Sequence, residues 1–440
     1  MAHKKTPIPA DIVDEVYANS GLTDLSIASI REVGKMVATI EARSGQRFIH
    51  MEMGVPGLPP AAVGVEAEIA SLKKGVASLY PNIEGIPEVK KEASRFVKKM
   101  INVDVSPQGC VPTVGSMQGG MAAFMTVGFR DKKKDTILFI DPGFPVQKQQ
   151  LRLLGIPFCT FDVYNFRGDK LQSKLESYLS KGNIAAIVYS SPNNPSWICF
   201  TDKELRIIGD MANKYDTVVI EDLAYFAMDF RKDYGVPGEA PYQPSVANYT
   251  DQYVLMISAS KIFSYAGQRI AFLAISDALY HRHFPDLASR FSSDEFGHYL
   301  VYGALYGMTS GTSHSAQYAL AAMLKAVNDG LYNFRKDIIE YGEKAKIMKD
   351  LFLKYGFNIV YDKDEDLPLA DGFYFTIAYP GMQSGELLKE LLYYGISAVS
   401  LNITGSEHTE GLRACVSFVG RDQFDALEDR LKQFRFNNSL

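Results

Sequence analysis

Between residues 110 and 275 the chain alternates short, almost wholly apolar runs with amphipathic stretches. The runs at 136–140, 157–161, 184–190, 217–221, 253–258 and 270–275 have the length and β-branched content of strands. Between most of them lie helical patterns, at 116–129, 170–179 and 202–214. A strand without a polar face is covered on both sides, so strands alternating with helices predict a mostly parallel sheet between helical layers. From about residue 311 the rhythm changes. A long helical pattern at 315–355 leads to strands at 373–379 and 412–419 and helices at 385–394 and 422–434. That pattern predicts a large α/β domain at 61–310 and a small α+β domain at 311–440. Residues 1–60 carry a helix near 26–44 and the turn Gly54-Val55-Pro56-Gly57-Leu58-Pro59-Pro60. They are expected to form an N-terminal arm and part of the small domain.

Composition removes several classes of function. A length of 440 residues suits a two-domain enzyme, and a net charge of -5 gives no electrostatic basis for a nucleic-acid or membrane-surface partner. The four cysteines (Cys110, Cys159, Cys199, Cys415) are far apart and form no CxxC pair. Neither zinc nor a disulfide framework is therefore expected, and a reducing cytoplasm fits. The first twenty residues hold charges but no apolar core, so no secretory leader is expected, and no uncharged run is long enough to span a bilayer.

In an open α/β sheet, ligands bind beyond the carboxyl ends of the strands. Five turns there carry unusual residues. Val111–Gly120 is rich in small residues, and Ser116-Met117-Gln118 opens a helix whose free N–H groups suit a phosphate. Asp141-Pro142-Gly143-Phe144-Pro145 fixes a loop that aims the Phe144 ring toward a flat ligand. Ser191-Pro192-Asn193-Asn194-Pro195 holds the Asn194 carboxamide at the sheet edge. The strand at 217–221 runs into Asp222 and Tyr225, an acid that needs a cation or proton donor and a phenol beside it. Finally, Ser258-Ala259-Ser260-Lys261 puts a lysine among small residues at a strand end, followed by Arg269, with Ser258 and Arg269 suited to a phosphate. Singly, each has an ordinary alternative: a helix cap for Ser116 or Asp222, a core ring for Phe144, a plain turn for Asn194, a solvated charge for Lys261. Their joint occurrence in one order is what makes coincidence a poor account.

With these motifs the sequence resembles the class I/II aminotransferases of the aspartate aminotransferase superfamily, from Gly54 to Arg413. The resemblance implies fold type I of the pyridoxal 5′-phosphate enzymes, with a mostly parallel seven-stranded sheet in the large domain plus a small α+β domain. It also implies roles. Lys261 holds the cofactor covalently and then moves the 1,3-proton, Asp222 pairs with the ring nitrogen, and Asn194 and Tyr225 bond its 3′-oxygen. Phe144 stacks on the ring where the family has Tyr or Trp. Ser116, Met117, Gln118, Ser258 and Arg269 surround the phosphate. Tyr80, in Ser78-Leu79-Tyr80-Pro81-Asn82, resembles the tyrosine that reaches the neighbouring subunit's phosphate, which implies a homodimer. Arg413 resembles the arginine that forks the substrate α-carboxylate, with the Gly54 backbone beside it. The implied reaction is ping-pong transfer of an amino group from an amino acid to a 2-oxo acid, with no metal.

Two departures stand out. Where the family has glycine after Asn-Pro-Thr, this chain has Pro195-Ser196-Trp197, its sole tryptophan. The stretch 299–317 also lacks the arginine of one dicarboxylate-specific subgroup. That absence, with Trp197, Tyr302 and Tyr306, argues against strict dicarboxylate specificity, although Arg31 is another source of a cation. A carbon–sulfur β-lyase on the same scaffold shares every motif, and a non-enzymatic aminotransferase-like sensor is the remaining alternative.

Overall fold

The computed structural model describes residues 5–438. By contact the chain divides into two units, the larger comprising Leu58–Asn193 and Cys199–Ile338 and the smaller Met1–Gly57, Asn194–Ile198 and Ile339–Leu440. Residues 311–338, assigned from the sequence to the C-terminal domain, group with the larger unit.

The larger unit is built on a seven-stranded sheet. Its strands are β1 (Cys110–Thr113), β2 (Thr136–Asp141), β3 (Phe158–Asp162), β4 (Ile184–Ser190), β5 (Val218–Asp222), β6 (Tyr253–Ser258) and β7 (Ala271–Ile275). They lie in the order β1-β7-β6-β5-β4-β2-β3, and only β7 runs against its neighbours. Six match the apolar runs. The seventh, β1, was read as part of a turn; it is four residues long, contains Pro112 and pairs on one side only, where a missing N–H leaves no ladder bond unmade. The core between sheet and helices includes Val111, Phe124, Phe139, Val188, Ile220 and Leu273, each at most 2% exposed.

The pattern at 315–355 resolves into two helices, His314–Asn328 and Arg335–Lys354. Between them Gly330 takes φ 70°. Its N–H bonds the Val327 carbonyl at 2.9 Å, and the Leu331 N–H bonds that of Ala326 at 2.8 Å, the paired closure that ends a helix at a left-handed residue. The short helix Asp277–Tyr280 ends before His281 and His283. His281 and His283 instead meet Glu295 and Asp294 at 2.6 and 2.8 Å on the surface.

The smaller unit has a four-stranded antiparallel sheet. Its strands are β8 (Asn358–Ile359), β9 (Tyr374–Ala378), β10 (Val399–Ser400) and β11 (Leu412–Cys415), in the order β10-β11-β9-β8. The expected strand at 412–419 ends early, at Cys415. The N-terminal segment joins this unit through parallel pairing of Ile49–His50 with Ile396–Ser397. Helix Ile30–Ser44 begins at a capping box between Ser29 and Glu32, which satisfies two otherwise orphaned backbone donors.

Candidate active site

Strand register brings the motifs of the larger unit to one edge. Asp222, the last residue of β5, lies opposite Ser190 of β4 and Met256 of β6. Asp141 ends β2 opposite Asp162 of β3, while Ser258 and Thr113 both pair with Ala271. The carboxyl ends of β1, β2, β4, β5 and β6 therefore carry the five turns singled out above.

Lys261 lies on the four-residue helix Ala259–Ile262, capped by Ser258, whose hydroxyl accepts the Ser260 N–H at 3.1 Å. The same connection, between antiparallel β6 and β7, returns through Arg269. That is why a lysine and an arginine eight positions apart share one end of the sheet. Arg269 adopts φ 51°, a left-handed conformation, and its guanidinium reaches over the start of helix Gly115–Phe129. A Cβ on Gly115 would sit 2.7 Å from Arg269 Nη2, and its φ of 66° is one that glycine adopts without strain. The first turn of this helix and the Arg269 head leave a cradle suited to a phosphate dianion. The Gln118 side chain is engaged elsewhere: it accepts the Val114 N–H at 2.7 Å and donates to Thr309 Oγ1 at 2.8 Å. Ser116 and Met117 are half-buried at the same turn.

Glu221 and Asp222 are adjacent acids on β5 and point to opposite faces. Glu221 accepts from Tyr189 Oη at 3.0 Å, Ser245 Oγ at 2.5 Å and the Val246 N–H at 3.2 Å. Burial nevertheless pushes its carboxyl up to about 7. Asp222 accepts from Gln147 Nε2 at 2.9 Å and the Ala224 N–H at 3.1 Å. Burial pushes it up to about 6, against the pull of those two neutral donors. A buried carboxylate faced by neutral donors is poised for a cation. Gln147 was not foreseen; it lies in the first turn of helix Pro145–Leu154, three positions after the half-buried Phe144. Tyr225 is 5% exposed, whereas Tyr80 is 90% exposed.

In the smaller unit Arg413, on β11, is 2% exposed. Its Nη1 donates to Asn194 Oδ1 at 3.3 Å and its Nη2 to the Glu52 carbonyl. The guanidinium lies over the Tyr374 ring, 4.7 Å from its centroid. Gly54 is next to the same tyrosine: a Cβ there would come within 2.1 Å of Tyr374 Oη. Two predicted residues, Gly54 and Arg413, thus meet at Tyr374, which the sequence did not single out, and Asn194 joins them through Arg413. Tyr302 packs on His298 with centroids 4.8 Å apart, and Tyr306 is 55% exposed.

A buried acid faced by neutral donors, a lysine turn and an anion cradle on one edge of such a sheet fit pyridoxal 5′-phosphate, which presents a protonated ring nitrogen, an aldehyde and a phosphate. The architecture is fold type I of the enzymes that use it. The model of the family "aminotransferase class I and II" matches residues 48–430, and the chain belongs to that family, whose members use this cofactor. It is an enzyme of the transaminase type. The chain is 26% identical over 310 residues to a probable aspartate aminotransferase of Methanocaldococcus jannaschii, covering 69% of this chain and 74% of that one. It is 26% identical to the aromatic-amino-acid aminotransferase 2 of Thermococcus litoralis, over 57% of this chain and 62% of that one. The structure of an alanine aminotransferase from Pyrococcus furiosus shares the fold, with a TM-score of 0.74 at 21% identity over 94% of this chain and 98% of that one. Among the described residues no helix is long and apolar enough to cross a membrane, and no cluster of metal-ligating side chains occurs.

Proposed function

We propose that this chain moves amino groups between an amino acid and a 2-oxo acid by a ping-pong cycle, as a cytoplasmic homodimer, with Lys261 as the cofactor lysine. The observation that carries this reading is the buried Asp222 carboxyl, faced by neutral donors, on the same sheet edge as Lys261 and the Arg269 cradle. Bound pyridoxal phosphate supplies the electron sink that makes the α-proton of an amino acid removable. Asp222 keeps a proton on the ring nitrogen, Tyr225 and Asn194 bond the ring's 3′-oxygen, and Phe144 covers one face. Ser116, Met117 and Gln118 offer backbone N–H groups to the phosphate, and Ser258 and Arg269 offer side chains. Lys261 would take the proton from the substrate α-carbon and return it two atoms away, at the carbon that had been the cofactor's aldehyde. Arg413 and the Gly54 N–H receive the α-carboxylate. The test is a half-reaction screen: cofactor absorbance is followed against each amino acid and the product is identified by mass. Release of a 2-oxo acid with the amino group retained on the protein supports transamination. Stoichiometric ammonia would instead indicate the lyase outcome.

Because every amino acid shares the α-carboxylate, Arg413→Lys is expected to raise KM for all donors alike, by about tenfold or more, since a lysine lacks the planar fork. Rates measured side by side for aspartate, glutamate, alanine and phenylalanine check this. With no arginine in 299–317, efficient turnover of alanine or phenylalanine is expected. If only the two dicarboxylates react, a distal cation such as Arg31 serves the side chain.

Tyr80 is proposed to act in the partner's site. It stands exposed beside Leu79, which is 62% exposed, and Ile69 and Leu72 of the same unit are each 47% exposed. Such apolar exposure supports burial against a second copy. Light scattering is expected to give a dimer, and Tyr80→Phe to weaken cofactor retention by about tenfold. A fully active monomer rules this role out.

A further inference from the structure

Trp197 stands where the resembled family has glycine, and its surroundings suggest a purpose for the change. It is 1% exposed and holds φ 66°, a backbone conformation that a residue with a Cβ keeps only when its neighbours enforce it. The indole lies on the bare Cα of Gly372, where an added Cβ would be 2.0 Å from Cε2. It also meets Tyr374 edge to face, with centroids 6.1 Å apart at 66°. The Tyr374 ring in turn carries the Arg413 guanidinium at 4.7 Å. The turn Asn194–Ile198 therefore reaches Arg413 twice: directly, through Asn194 Oδ1 at 3.3 Å, and indirectly, through the indole and then the phenol ring.

We infer that Trp197 and Tyr374 are positioning residues that preset the plane of the Arg413 fork. A guanidinium lying on an aromatic face is attracted to it and loses freedom to rotate out of plane. Two of its nitrogens are already held, one by a carboxamide and one by a carbonyl. A fork fixed before substrate arrives binds a carboxylate without first having to be ordered. With the indole gone, Tyr374 loses its edge-to-face contact with it and the plane of Arg413 relaxes. This inference rests on reading Arg413 as the receiver of the substrate α-carboxylate.

The test uses the cofactor-loaded protein with its best amino donor, in Trp197→Phe, Trp197→Ala, Tyr374→Leu, Arg413→Lys and the double variant Trp197→Phe/Arg413→Lys. KM, kcat, cofactor absorbance and Tm are measured for each. Trp197→Phe is expected to raise KM about fivefold, and Trp197→Ala and Tyr374→Leu more, with kcat within about twofold and absorbance unchanged. In the Arg413→Lys background Trp197→Phe is expected to add almost nothing, because the fork it positions is gone. An equal KM penalty in both backgrounds, or a fall in Tm with KM untouched, overturns the inference and leaves Trp197 as core filling. If Trp197→Ala does not fold, Trp197→Phe and Tyr374→Leu decide the matter. Should Arg413→Lys alone leave KM unchanged, the carboxylate assignment falls and the coupling with it, a failure visible in that single variant.

Discussion

Lys261→Ala protein is expected to purify without covalently held cofactor and to turn over at least about 10,000-fold more slowly than the native chain. In the role proposed for Lys261, the alanine would remove both the point of attachment and the base that moves the proton, so the two losses would compound. The phosphate cradle is untouched, so cofactor should still bind and should wash out on dialysis. Exposed lysines far from any site change little when replaced, which makes a large effect diagnostic. Lys148, buried, and Lys90, half-buried, are two rivals in the larger unit. Lys148 is engaged by Asp141 at 2.6 Å, at the end of β2 and away from the turn that follows β6. Lys90 has its ammonium lowered by burial, but its Nζ donates to the carbonyls of Glu84, Gln108 and Cys110 at 3.0, 3.3 and 2.9 Å. All three of its protons are thereby engaged, and none of its partners is at the cofactor turn. Borohydride reduction followed by peptide mapping should put the label on Lys261. A label on Lys148 or Lys90 would overturn the assignment.

The sheet was legible because six of its strands are apolar on both faces, a signal that depends on local sequence alone. Strand β1 escaped because a four-residue edge strand containing Pro112 has no such periodicity. The break between helices His314–Asn328 and Arg335–Lys354 escaped because a single glycine, Gly330, ends the first without interrupting the apolar spacing. The site divides in the same way. Lys261, Asp222 and Arg269 could be picked out because their residue types are unusual at the ends of predicted strands. Gln147, Glu52 and Tyr374 could not, since each matters only through a partner that folding delivers. Gln147 lies 75 positions from Asp222, and the Glu52 carbonyl 361 from Arg413. Gln118 shows the converse: the sequence singles it out at the helix start, but its side chain is spent on Val114 and Thr309.

Asp222→Ala is expected to lower kcat by about a thousandfold or more, which corresponds to about 4 kcal/mol, while cofactor binding weakens far less. In the proposed role the carboxylate would act where charge develops, on the ring nitrogen, whereas the phosphate contacts would provide most of the grip. The same variant has a signature without cofactor. In the free protein burial pushes Asp222 up to about 6, from the ordinary carboxylate value of 3.8. A carboxyl with a raised pKa favours the folded state while it is neutral. Its contribution is therefore present below pH 3.8 and is lost as pH rises through about 6. Asp141, at about 6, and Glu221, at about 7, follow the same trend in both proteins and cancel in the comparison. Measured as Tm against pH, the advantage of native apoprotein over Asp222→Ala should shrink across that window. Near-normal turnover in Asp222→Ala would mean that another acid protonates the ring. Glu221 is its neighbour in sequence, but three donors already hold it on the opposite face of β5. It is therefore a poor substitute, and Asp222→Ala is expected to be as damaging with Glu221 in place as without it.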